Sequence, residues 1–226
     1  SGLMLLGSFI QDIVGLLSQN SSFDENEFAS KMVHVLKRSS HIIVVGRSLW
    51  ALNSLCYLPN IDEGLLLQVF FLLGEHLDPK YPLGVRFSAS KAMTVLGYKL
   101  AAKKVRENFK GFLGDSLKTY FKLALDLAQS TDENTLGLTL DNMLSFYDIN
   151  PDSIAPLVTT EVVTFLLRSF GQHFEHVVIS NGITELSNRF LTNTQISPVY
   201  LPVFAAFVIH FLESYKEELI RSDRLS

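Results

Sequence analysis

Five carboxylates in the second half of the chain, Asp132, Glu133, Asp141, Glu175 and Glu185, come nearest to a functional set. Glu133 and Asp141 are eight apart, two turns on one helix face, and Glu175 and Glu185, ten apart, roughly share another. Grouped carboxylates can do acid–base chemistry, but only inside a closed pocket that shifts their pKa values. On an open surface they present negative charge to a basic partner, with steered, salt-sensitive association. The plainer alternative is a solvated acidic face. His173 and His176 stand at i, i+3, a spacing that can chelate on a helix, yet zinc needs three or four ligands. The pair lacks the i, i+4 zincin spacing and has no cysteine nearby, so it reads as polar decoration at a helix start and no metal site is expected.

Arg47 and Arg86 occupy equivalent places in two similar segments. They could meet phosphate or acidic cargo, or form a ladder to carboxylates and carbonyls of adjacent repeats, which the pattern favours. Trp50 and Tyr57, seven apart, share a helix face and read as packing. Cys56 is the single cysteine; it permits no internal disulfide, fits a reducing compartment, and reads as a packed thiol. There is no P-loop, no GxGxxG after a strand, no GxSxG elbow and no kinase set. Catalytic residues and cofactors are therefore expected to be none, and the chain is expected not to be an enzyme. Metal bound by His173 and His176 in a closed polar pocket would argue otherwise.

The elements that must position these residues are helices. Val85, Ala89, Ala92 and Leu96 recur at three to four residues within PLGVRFSASKAMTVLGYK, an apolar stripe whose alanines admit a close neighbour. Upstream, IIVVGRSLWALNSL repeats the pattern about 40 residues earlier, and such a period reads as a solenoid. Ten helices are expected. The first runs Leu3–Leu17, and the second is capped by Asp24 with Glu27 as capping-box partner and extends to Arg38. The third follows Ser39 or Ser40, the fourth opens at Asp62, and the fifth starts at Pro82 and ends near Leu100. The sixth spans Leu117–Gln129 and the seventh follows Thr131 or Asp132. An eighth runs from Asn150-Pro151 to near Gly171, a ninth from His173 to Phe190, and a tenth from Ser197-Pro198 to about Ile220. Odd-numbered members would be inner helices and even-numbered ones outer. Pro156 and Pro202, 46 apart, would each bend an outer helix. No run alternates as a strand should. The fold class is thus all-α, an α-solenoid of about five stacked helix pairs forming one array over residues 1–226, with Lys103 to Gly114 as its weak point.

Of the 226 residues, 47% are hydrophobic. The longest apolar run, Val199–Ile209, is interrupted by Pro202 and too short for a bilayer, so membrane insertion is not expected. No basic region precedes the first apolar stretch, Ser1-Gly2 reads as a cloning scar, and the uncapped start at Leu3 reads as a piece of something longer. Residues 1–113 carry a charge balance of +3 and residues 114–226 one of −7. The acidic half disfavours direct nucleic-acid binding and suits a basic partner. Asn20-Ser21-Ser22 is a glycosylation sequon.

Taken in order, LMLLGSFIQDIV, the acidic break, SSHIIVVGRSLWALNSL and PLGVRFSASKAMTVLGY resemble consecutive HEAT repeats of the karyopherin-β (importin-β) superfamily. GRSLWAL followed by PLGVRFSASKAM looks most like the importin-9 branch, and the likeness covers essentially the whole chain. The resemblance implies the central part of a nuclear transport receptor whose concave, inner-helix surface wraps protein cargo. It further implies basic cargo such as histones or ribosomal proteins, regulation by the GTPase Ran, contact with nucleoporins, and shuttling between cytoplasm and nucleus. The alternative is a HEAT scaffold or regulatory subunit of another complex.

Overall fold

The computed structural model describes residues 24–53, 61–102, 105–130 and 133–223, with side chains at 24–53, 61–97, 114–130, 133 and 135–216. The expected first helix, the sequon, Cys56, Tyr57, Lys103 and Asp132 lie outside the described residues. Among those described, all regular structure is helical and no strand occurs. The helices are α1 (Glu25–Arg38), α2 (Ile42–Asn53), α3 (Glu63–Glu75), α4 (Leu83–Ala102) and α5 (Val105–Gln129). They continue with α6 (Glu133–Ile149), α7 (Pro151–Ile154), a 3-10 turn (Ala155–Leu157), α8 (Thr160–His173), α9 (Val177–Thr192) and α10 (Ser197–Asp223).

Local chemistry explains the punctuation. Asp24 Oδ1 accepts from the backbone N–H groups of Asn26 and Glu27, both at 2.9 Å, and so caps α1. Glu27 does not close the box; its carboxylate pairs with Lys31 at 2.7 Å, one turn on. Asp62 caps α3 through the Leu65 N–H at 3.0 Å, while its own N–H donates to Asn26 Oδ1 at 2.8 Å. That bond ties the starts of α1 and α3 together. In α1 the buried residues Ala29, Met32, Val33 and Leu36 form one stripe, whereas α3 buries Leu66, Leu67, Val69, Phe70, Leu72 and Leu73 around most of its girth.

Most helices pack against the next in sequence, α1 on α2, α3 on α4, α4 on α5, α5 on α6, α6 on α7, α8 on α9 and α9 on α10, and a second set of contacts links helices further apart. α2 lies against α4, α4 against α6, and α6 against α9; on the other side α1 meets α3, α3 meets α5, and α8 meets α10. The core runs between these two rows. At its centre Phe70 of α3 meets Tyr120 of α5 and Phe146 of α6 edge-on, each pair with ring centroids 6.0 Å apart. Gly74 lies directly beneath the Tyr120 ring; a Cβ there would fall 2.1 Å from Cζ. Between α4 and α6 the row is pinned by polar groups. Thr94 Oγ1 donates to Asn142 Oδ1 at 2.8 Å, and Asn142 Nδ2 donates to Ser90 Oγ, all three residues being buried.

Three boundaries differ from the sequence reading. Helix α5 begins at Val105, so most of the expected weak point is helical. The expected eighth helix is broken: Pro156 sits in the 3-10 turn, and α7 with that turn meets α8 at 88°. A proline lacks the N–H for the next helical bond, and the freed chain turns through Val158 N–H to Ala155 O and Thr159 N–H to Leu157 O. Pro202, by contrast, is accommodated inside continuous α10. The ninth helix starts at Val177, not His173, because His173 closes α8 and residues 174–176 form the turn. Length and composition make 197–216 sufficient to cross a membrane, unlike the short run counted in sequence; little of it is buried.

Candidate functional site

The row α2, α4, α6 and α9 is made of helices that the sequence reading expects to be inner ones carrying the acidic set, and the structure divides that set. Asp141 on α6 is half-buried and Glu185 on α9 exposed. Burial, then the nearby charge of Glu185, pushes the Asp141 carboxyl above its ordinary range. The fold thus places Asp141 within the electrostatic influence of Glu185 across neighbouring helices. Glu133 goes elsewhere. Its Oε1 lies 3.0 Å from Nδ1 of His173, so the start of α6 is joined to the end of α8. Glu175 is exposed in the turn before α9, so it does not share a helix face with Glu185 as the spacing suggested. His176 stands at the N-cap of α9 beside it, and among the described residues no three potential metal ligands converge.

The two signature arginines also part company. Arg86 is 8% exposed. Its Nε donates to the Leu77 carbonyl at 2.8 Å and its Nη2 to Asp126 Oδ2 of α5 at 2.8 Å. A guanidinium is suited to such a fork because its donors are fixed in one plane and always charged. Arg86 therefore does the ladder task, joining the α3–α4 turn to the next helix, and is not available to a phosphate. Arg47, half-buried on α2, makes no corresponding bond among the described residues, so the ladder is not carried by both. Trp50 is half-buried on the same helix and Ala89 fully buried on α4.

Sequence reasoning missed the second arginine fork. Arg189 of α9 reaches Asp148 of α6 at 2.9 Å, and the Tyr147 hydroxyl donates to the Arg189 carbonyl at 3.1 Å. The signal was present as separation: Arg86–Asp126 spans 40 residues and Arg189–Asp148 spans 41. Opposite charges one repeat apart could have been paired from sequence. The arrangement is a partly acidic row of helices braced by arginines. No family model matches the chain, and comparison with curated proteins and with solved structures likewise gives no match.

Proposed function

We propose that the chain is a non-catalytic, protein-binding α-solenoid of HEAT-type helix pairs, acting as a segment of a nuclear import receptor for basic cargo. What carries this assignment is the reach of its long-range bonds. The described side-chain bonds between distant parts of the chain span 36 to 52 residues, which is one helix pair to the next. Stacked repeats bond only to their neighbours in this way, and they leave an extended face that binds proteins. The Asp141–Glu185 pair sets the sign of the partner, since a Lys or Arg of the cargo would relieve both carboxylates. The importin-like motifs around Arg47 and Arg86 supply the transport context.

The test is binding of the chain to a core histone dimer, followed by fluorescence anisotropy at about 50 and 200 mM salt. Binding should be tight at low salt and weaken as salt rises. Asp141→Lys with Glu185→Lys should weaken it by about tenfold or more. Absence of binding at low salt refutes the basic-cargo assignment. Binding of histones that GTP-loaded Ran neither joins nor displaces, tested in the full-length protein, would leave a HEAT scaffold or regulatory subunit in place of a transport receptor.

A further inference from the structure

Between two neighbouring hairpins lies a cavity of about 340 Å³, bounded by the α1–α2 loop on one side and the α3–α4 turn on the other. Its apolar lining includes Leu36, Val45 and Leu72, and its polar lining Lys37, Ser39, Ser40, Glu75 and His76. His76 is the residue that points to a ligand. It is 4% exposed, and its Nδ1 lies 2.7 Å from the Leu72 carbonyl oxygen. A carbonyl only accepts, so Nδ1 carries the proton, and Tyr81, stacked at 4.6 Å, holds the plane of the ring. Nε2, on the opposite edge, bonds to nothing among the described residues, although the ring lines the cavity. A buried polar atom left in this way calls for a partner.

The facing loop can supply one. Ser39 Oγ is already engaged, accepting from the His41 N–H at 3.2 Å. Ser40 is exposed, and its hydroxyl makes no bond among the described residues. Lys37 and Arg38, both exposed, stand three and two places before it, a charge pattern read by kinases that select basic residues upstream. Helix α2 begins two residues later with no acid in its first turn, so a phosphate here meets the positive end of the helix dipole unopposed by a local carboxylate.

We propose that Ser40 is a phosphorylation site whose phosphate enters this cavity and clasps the α1–α2 loop to the α3–α4 turn through His76 and Lys37. The step is a phosphoryl transfer from ATP held by the kinase. The Ser40 Oγ–Pγ bond forms as the bond from Pγ to the β-bridging oxygen breaks, ADP leaves, and the hydroxyl proton passes to the base of the kinase. Once seated, the phosphate accepts from protonated Nε2 and from the Lys37 ammonium, which also offsets the charge of Glu75. The proposal is independent of the basic-cargo assignment.

The whole chain, incubated with cyclic-AMP-dependent protein kinase and Mg-ATP, should take up one phosphate that tandem mass spectrometry places on Ser40, and Ser40→Ala should abolish the uptake. Phosphoserine incorporated at position 40 during translation should raise the thermal midpoint by about 2–4 °C and move the His76 ring signals in NMR spectra. The rise should at least halve in His76→Gln and in Lys37→Gln, the second at an exposed position that the fold does not depend on. No uptake, or uptake on Ser39 in place of Ser40, overturns the modification site. A midpoint that phosphoserine leaves unchanged or lowers, or raises equally in both variants, overturns the cavity as its seat. Inorganic phosphate at about 10 mM should leave the unmodified chain's midpoint unchanged. Stabilisation as large as that from phosphoserine would make this a site for a free anion and overturn the proposal.

Discussion

Gly74→Ala sets two effects of opposite sign against each other, and the geometry decides between them. Alanine is the better helix former, and in an open helix the change should stabilise by about 0.5–1 kcal/mol. Here the new methyl would fall 2.1 Å from Tyr120 Cζ and 2.3 and 2.5 Å from its two Cε atoms. The ring must therefore retreat by more than an ångström, on the order of the gap to ordinary carbon contact near 3.5 Å. It has little room to do so. Phe70 and Phe146 stand 6.0 and 6.4 Å away, and the hydroxyl is bonded to the Phe71 carbonyl at 3.2 Å. Overpacking of this kind costs about 1–3 kcal/mol and should outweigh the propensity gain. A thermal midpoint lower by a few degrees is expected, at roughly 2–4 °C per kcal/mol for a chain of this size. Calorimetry of Gly74→Ala, Tyr120→Ala and the double variant completes the cycle. In the Tyr120→Ala background the clash is gone, so Gly74→Ala should turn neutral or stabilising. The same loss in both backgrounds would refute the close approach of α3 to α5.

Asn142→Ala removes the donor to Ser90 Oγ and one of two acceptors of Thr94 Oγ1, which keeps the Ser90 carbonyl, in the buried seam between α4 and α6, and should destabilise by about 1–3 kcal/mol in urea melts. Adding Ser90→Ala and Thr94→Val should recover part of that loss, giving a coupling of about 1 kcal/mol. Ser48 Oγ is buried with no hydrogen-bond partner among the described residues, so Ser48→Ala should raise stability by up to about 1 kcal/mol in the same assay. The Tyr120 hydroxyl is pushed up to about 12, first by burial and then by the charge of Glu75. Its neutral form is favoured in the folded state, so stability from this group is intact below pH 10 and lost as pH rises toward 12. Tyr120→Phe should flatten that alkaline slope in melts taken across the range. Asp141 is likewise raised, so its ionised form disfavours the fold. Asp141→Asn should raise the thermal midpoint at pH 7, and the gain should fade as pH falls through the raised folded value toward 3.8, below which it is gone.

Local chemistry made the helices readable and distant chemistry did not. Asp24, Asp62 and the proline before α4 announce their helices because a cap or a preset φ acts within one turn. The stripe Val85, Ala89, Ala92 and Leu96 foretold the buried flank of α4 for the same reason. Pro156 and Pro202 looked alike, yet one breaks its helix and the other does not. The difference lies outside the motif: Pro156 follows a four-residue helix already started by Pro151, and two further turns cap off the break. The acidic set was legible as composition only. Whether Glu133 faces a partner or His173 depends on where α8 ends, and that boundary fell in a run, GQHFEH, without a glycine or proline at the stop itself. Arg86 was correctly read as a brace, because a buried guanidinium needs fixed acceptors; Arg47 at the matching position found none among the described residues.

The braces described above each reach from one hairpin to its neighbour, and none of them girds α1 to α9. In the solenoid proposed above, a load applied at one end is then handed along as a slight rotation at every joint, so the molecule should yield like a spring before any single joint comes apart.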